Sequence, residues 1–213
     1  GQRMVKTIDT TAPHDDQWAR GRTKLAQGIV LTAPGIPAIL QGTEWLEDND
    51  FGTDAGNRID WSHKTTYAGI FDYYADVIRL RTTEDALRAD SPIEIFHVND
   101  GSNVIAYRRT NYFGDDVVVV ANFSNTDFAN YRFGIPTDEP WVEYVNSENP
   151  AYMGTGSTNP GLLYPDAIAR DGYSQSLEIA LSKMALVILV PDGQTGIEDG
   201  PVETKTSFRL LPP

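Results

Sequence analysis

The side chains best suited to chemistry lie in the polar run between Gln41 and Thr66. Glu44, Asp48 and Asp50 crowd around Trp45 there. An indole can stack on the flat face of a sugar ring while nearby carboxylates bind its hydroxyl groups, so this grouping suits a neutral carbohydrate. The plainer alternative is a packed loop with solvated acids. The oxygen-rich series Glu47, Asp48, Asn49, Asp50, Asp54, Asn57 and Asp60 contains calcium-type ligands. It lacks the D-x-[DN]-x-[DN]-G spacing of a calcium-binding helix–loop–helix, so no metal is assigned. His63 and His97 stand alone and read as surface or packing residues. Asn122-Phe123-Ser124 fits a glycosylation sequon, but its place at a strand end favours a structural use. Among the later aromatics, Trp141 and Tyr144 sit within a strand pattern and read as core. Tyr152 and Tyr164, in an irregular stretch, are the better binding candidates.

Composition narrows the partners. Acidic residues number 30 against 17 basic ones, for a net charge of −13. The basic residues are scattered, so nucleic acid is excluded as a partner, because phosphate binding needs clustered Lys and Arg. No apolar run approaches the roughly 20 residues of a membrane helix, and no membrane partner is expected. The segment Gly1–Lys6 lacks the apolar core of a signal peptide. With 0 Cys there is no disulfide, thiolate nucleophile or thiolate metal site. Nothing implies a cofactor.

The elements that must hold the acidic loop follow from periodicity. Trp18, Leu25 and Ile29 share a helical face, Asp15 or Asp16 can cap the start, and Pro34-Gly35 ends the helix near Leu31. The apolar run 36–40 predicts a strand buried on both faces. Tyr67, Ile70, Phe71, Tyr74, Val77, Ile78 and Arg81 predict a second helix to about Thr82, with a further helical turn around 84–89. From Pro92 the period becomes two. Strands are expected at 93–97, 104–108, 117–120, 131–135, 141–145, 177–180 and 185–190, with a hairpin turn at Asn99-Asp100-Gly101. Such strands, spaced by Gly, Asn and Pro turns, read as an antiparallel β-sandwich. Residues 146–172 read as a long irregular insertion.

Three pieces together resemble the α-amylase superfamily (glycoside hydrolase family 13), closest to its α-1,4-glucan branching enzymes and branching-type amylases. "KLAQGIVLTAPGIPAILQGTEWLEDNDF" resembles the penultimate helix, last strand and following loop of that family's (β/α)8 barrel. "RIDWSHKTTYAGIFDYYADVIRLR" resembles its last barrel helix, and "VIAYRRTNYFGDDVVVVANFSN" the first strands of its C-terminal β-domain. The resemblance covers residues 1–192. It implies a fold class of α/β barrel fragment (residues 1–90, the last helix–strand–helix) followed by an all-β antiparallel sandwich (91–192) and a linker or tail (193–213).

The resemblance also implies a chemistry. Family members use an Asp nucleophile, a Glu acid/base and a second Asp that stabilises the transition state, a retaining two-carboxylate mechanism with one helper. The nucleophile and acid/base belong to earlier barrel strands, and no residue here corresponds to them. His14-Asp15 is the one candidate for the family's His-Asp pair, with Asp15 as stabiliser. A helix cap is the preferred reading of Asp15, because no apolar strand precedes it. Glu44, Trp45, Asp48 and Asp50 follow the last barrel strand on the face where barrel active sites lie, and are the substrate-binding candidates. The implied partners are an α-glucan (starch, glycogen or maltooligosaccharide) and the N-terminal barrel portion. The chain alone is expected to be inactive. Its alternatives are a non-catalytic glycan-binding β-sandwich module or a subunit completing a split barrel. Residues 207–213 resemble the approach to bacterial C-terminal sorting domains, which suggests a secreted parent.

Overall fold

A computed structural model describes residues 2–194. It opens with a short helix, α1 (Met4–Ile8), and the long helix α2 (Gln17–Thr32). Asp16 caps α2, its carboxylate accepting from the Ala19 amide at 2.7 Å. At the other end the orphan carbonyls are taken by a guanidinium from the next long helix. Arg81 donates to the carbonyls of Leu31 (2.6 Å), Ala33 (2.9 Å) and Gly35 (2.6 Å). A short helix α3 (Ser62–Thr66) leads into α4 (Ala68–Thr83). The expected apolar stripe of α4 is buried at Ile70, Tyr73, Tyr74, Val77 and Leu80. Gly28 allows α2 to press on it, since a Cβ there would lie 2.4 Å from the Tyr73 hydroxyl and 2.9 Å from Leu186.

Eight strands follow: β1 (Ile93–Asn99), β2 (Val104–Thr110), β3 (Asp116–Asn122), β4 (Phe128–Ile135), β5 (Trp141–Asn146), β6 (Leu162–Leu163), β7 (Gln175–Leu181) and β8 (Leu186–Pro191). Six form one sheet in the order β1-β2-β3-β8-β5-β6, and β4 pairs with β7 in a second. All of these pairings are antiparallel, as the period-two reading requires. β6 is a short strand within the stretch otherwise read as irregular.

The centre of the larger sheet is buried on both faces. Val117, Val119 and Ala121 of β3, with Leu186, Ile188 and Val190 of β8, pack against α2 and α4. Val118 and Val120, with Val187 and Leu189, pack against Tyr131, Phe133, Leu177 and Ile179 of the small sheet. This is why the runs 117–121 of β3 and 186–190 of β8 are apolar throughout instead of alternating. The result is three layers, helices on sheet on sheet, with an apolar core that runs across residue 90.

One expected element does not form. Residues 36–40 form neither helix nor strand and belong to no sheet. Ile36 is 93% exposed and Leu40 51% exposed, while Ile39 packs on the core. A strand exists only through hydrogen bonds to a neighbour, and no strand lies beside this one among the described residues. Open apolar grooves flank the run. One of about 550 Å³ is lined by Leu31, Ile36, Ile78 and Leu87, and one of about 440 Å³ by Ile39, Phe71, Tyr74 and Ile78. Residues 207–213 lie outside the described residues.

Buried polar groups join the helical layer to the strands. Lys24 has no exposed surface. Its Nζ donates to the Ser147 carbonyl and to the Tyr152 carbonyl at 3.0 Å, and sits 3.3 Å from Glu148 Oε1. Burial lowers the Lys24 pKa, and Glu148 opposes that shift. Arg109 of β2, equally buried, donates to the carbonyls of Thr32, Pro92 (3.1 Å), Arg88 (2.6 Å) and Ser91 (3.0 Å). Lys24→Met should therefore lower the unfolding free energy in urea by about 3 kcal/mol, the cost of leaving a buried carboxylate and two carbonyls unpaired, and adding Glu148→Gln should recover part of it.

Glu143 of β5 offers a pH test. Its Oε2 accepts from Asn146 (3.0 Å) and Asn159 (2.6 Å), and burial raises its pKa above 4.5. A raised carboxyl pKa gives stability that is full below the unfolded value and is lost as pH rises through the folded one. Stability of Glu143→Gln relative to wild type should therefore increase from pH 4 to pH 8 in parallel urea titrations.

Candidate functional site

The acidic loop is anchored from α1. Arg3, almost fully buried, donates to the carbonyls of Gln41 (2.7 Å) and Asn49 (3.0 Å), and its guanidinium lies 4.5 Å from the centre of the Phe51 ring. Lys6 pairs with Asp50 at 2.9 Å. Glu47 is buried, with one oxygen accepting from the Asn49 amide (2.8 Å) and the other from the Asp60 amide (2.7 Å). Two of the calcium-type oxygen donors thus serve the loop's own backbone. Among the described residues no group of three or more His, Asp or Glu is placed to hold a metal.

The candidates sort by exposure. Trp45, expected as a sugar platform, is 3% exposed and packs against Phe71 (6.3 Å between centres). The backbone turns tightly on both sides of it, at Gly42 (φ 93) and Leu46 (φ 55). The exposed indole is Trp61, 60% accessible, its ring tilted 39° against that of Trp45 at 5.1 Å between centres. Glu44 is half-buried and accepts from the Gly42 amide at 2.9 Å. Asp50 is engaged by Lys6.

Asp15 does not cap α2; Asp16 does. Asp15 instead accepts from the Tyr67 hydroxyl (3.1 Å) and pairs with Arg20 (3.2 Å). Burial, and then the Asp15 charge, push the Tyr67 pKa up to about 12, and Asp48 adds to that shift. Asp15, Asp48, Tyr67 and Arg20 thus form one electrostatic cluster, bordered by His63, whose ring meets Tyr67 edge-on at 5.3 Å. His14 adopts φ 59 and donates from Nδ1 to the Asp9 carbonyl at 2.7 Å, which ties its ring to the α1–α2 turn. Arg20 Nε, Trp45 Nε1, Asp50 Oδ1 and His63 Nδ1 are buried in this region without hydrogen-bond partners among the described residues. Trp61, Tyr67 and Arg20 carry no functional signal in the sequence, where Trp61 reads as one of the apolar residues that pack the loop and Tyr67 as part of the α4 stripe. Trp61 lies in a segment with a family resemblance, but which of two tryptophans faces solvent is decided by packing.

The later candidates also separate. Tyr152 is buried and donates to Asp76 of α4 at 2.7 Å, whereas Tyr164 is 67% exposed. Asn122 is buried, its amide donating to the carbonyls of Thr126 and Ser182 (both 2.9 Å), as a structural role requires. His97 is buried between Asp171 (2.8 Å) and the Tyr131 hydroxyl (2.9 Å).

Residues 96–192 match the family described as "Alpha amylase, C-terminal all-beta domain". Residues 96–192 thus belong to that α-amylase domain family, and the wider chain is similar to members of the α-amylase superfamily. It is 29% identical over 183 residues to the 1,4-alpha-glucan branching enzyme GlgB of Paraburkholderia xenovorans, covering 83% of this chain and 25% of that protein. The same enzyme of Salinibacter ruber is 27% identical over 183 residues, covering 84% of this chain and 29% of that protein. The chain thus spans about a quarter of the length of the curated relatives it matches. Two pullulanase structures share the fold. That of Anoxybacillus sp. LM18-11, complexed with maltotetraose, has a TM-score of 0.63 at 19% identity, over 89% of this chain and 26% of that one. That of Bacillus acidopullulyticus has a TM-score of 0.62 at 19% identity, over 89% and 23%. Within the superfamily domain, the antiparallel sandwich read from the strand pattern is the one observed.

The exposure difference gives a direct test. Trp45→Ala should cost about 3 kcal/mol or more in urea unfolding, as for a large core side chain, and Trp61→Ala less than about 1 kcal/mol.

Proposed function

We propose that this chain is the C-terminal part of an α-glucan-active retaining glycoside hydrolase or transglycosylase, of the amylase or branching-enzyme type. Residues 1–90 would complete its (β/α)8 barrel and residues 91–192 form its β-sandwich domain. The observation that carries this reading is the extent of the likeness. It spans 183 residues in the branching enzymes, well beyond the β-domain match at 96–192. A second observation supports it. The run 36–40 is apolar, partly exposed and flanked by open grooves, as a barrel strand would be with its neighbours absent. A barrel of this type typically takes about 250 residues, more than residues 1–90 supply.

In this reading the α-glucan is cleaved or transferred by carboxylates outside this chain, through the retaining route of acid catalysis and a covalent glycosyl intermediate. The loop 41–66 borders the cleft. Its contribution is to position substrate: Asp48 and Asp15 offer acceptors for sugar hydroxyl groups, and exposed Trp61, backed by Trp45, offers a flat apolar face. Glu44 and Asp50 sit on the same loop and shape its acidic rim.

The purified chain incubated with amylose should release no reducing sugar and leave the iodine-stained spectrum unchanged. A longer protein that supplies the rest of the barrel should do one or the other. Turnover by the chain alone would place catalysis within these residues and overturn the proposal.

A further inference from the structure

The turn between β2 and β3 carries two neighbouring aromatic side chains that no other described residue covers. Tyr112 is 101% exposed and Phe113 87%. Their support is well fixed. The amides of Phe113 and Asp115 donate to Asn111 Oδ1 at 2.9 and 3.0 Å, and Asn111 Nδ2 donates to Asp115 Oδ2 at 2.6 Å. Gly114 supplies the left-handed backbone the turn requires, at φ 94. Just below, buried Asp116 is gripped by both Arg108 Nε (2.7 Å) and Nη2 (2.9 Å). The base of the hairpin is thus held by side-chain hydrogen bonds, while its tip presents only rings.

From this arrangement we propose a non-catalytic binding site in which Tyr112 and Phe113 form a platform for the pyranose rings of an α-glucan. The choice of glucan rests on the functional reading above, while the site itself rests on the hairpin. Area argues against a protein partner. Two aromatic side chains offer roughly 300–500 Å², and a specific protein interface needs about 1,000 Å² or more. Charge argues against phosphate-bearing ligands. Asp115 lies at the base of the rings, and the whole chain carries −13, which repels nucleic acid and anionic lipid. A neutral, polyhydroxylated ring with a flat C–H face meets both constraints. Its face stacks on the aromatics. Its rim hydroxyls reach the Tyr112 hydroxyl, and Asp115 Oδ1 can accept from them, since Asn111 engages only the other oxygen. Both side chains have few rotatable bonds, so little entropy is lost when they bind.

The test is titration of maltoheptaose into the full chain, followed by the aromatic ring signals, with gel retardation on soluble starch as a second readout. Wild type should bind. Tyr112→Ala/Phe113→Ala should bind at least roughly tenfold more weakly, the factor that about 1.4 kcal/mol represents, with an unchanged urea midpoint. Val98→Ala, at an exposed position of β1, should bind as wild type does. Unchanged binding in the double variant overturns the platform while leaving the glucan-enzyme reading standing. Absence of binding by wild type also overturns it, because the hairpin is complete in this chain; the enzyme reading is then decided by turnover of the longer protein. Concentration-dependent dimerisation that disappears in the double variant, without glucan binding, would assign the rings to a second copy instead.

Discussion

A lysine ammonium buried without water must be surrounded by acceptors, and that requirement organises the joint between the two halves of this structure. Lys24 leaves α2 pointing at the end of β5, where the Ser147 and Tyr152 carbonyls and Glu148 receive it. The segment that supplies them is itself held to the other helix, because the Tyr152 hydroxyl donates to Asp76 of α4. The Tyr73 hydroxyl closes the circuit by donating to the Lys24 carbonyl at 2.9 Å. Desolvating the ammonium is costly, so such a group adds less to net stability than to specificity: any docking of α2 that moved Lys24 off its acceptors would leave a charge bare. Arg81 and Arg109 apply the same logic at the far end of α2, each collecting carbonyls that would otherwise be orphaned.

The apolar core completes what these polar contacts align. Because β3 and β8 lie in the middle layer, each of their side chains is buried on one face or the other, and the transfer of apolar area from water drives both interfaces at once. Loss of the helices would expose one full face of the sheet. The apparent boundary near residue 90 is a change from helix to strand, with the core continuing through it. Where the core stops, at 36–40, apolar side chains remain in solvent, and this exposure is the structural feature that most favours a larger assembly.

Local patterns in the chain were legible where local physics decides. The α4 stripe, the stop at Pro34-Gly35, the Asn99-Asp100-Gly101 turn and most strands could be read from spacing alone. The run 36–40 reads as a strand because its residues suit one, but pairing is set by what lies beside it, and nothing does among the described residues. The α2 cap was readable to within one residue: Asp16 takes it and frees Asp15 for Tyr67. Trp45 and Trp61 are chemically the same, and only packing in the folded chain decides which is buried. Lys24 looks like any surface lysine on its helix. Its role arises from contacts with residues more than a hundred positions away, beyond the reach of any periodicity argument.

The functional account depends on the helical layer and the β-domain being one cooperative body, since only then would the acidic loop be held in place by the superfamily domain beneath it. Native-state amide hydrogen exchange of the chain tests this most directly. Core amides of α2 and α4 should exchange with the same opening free energy as those of β3 and β8, all at the global unfolding value. Helical amides that open at a much lower free energy, while the β3 and β8 amides stay protected, would contradict the account and reduce the buried joint at Lys24 to a passive contact.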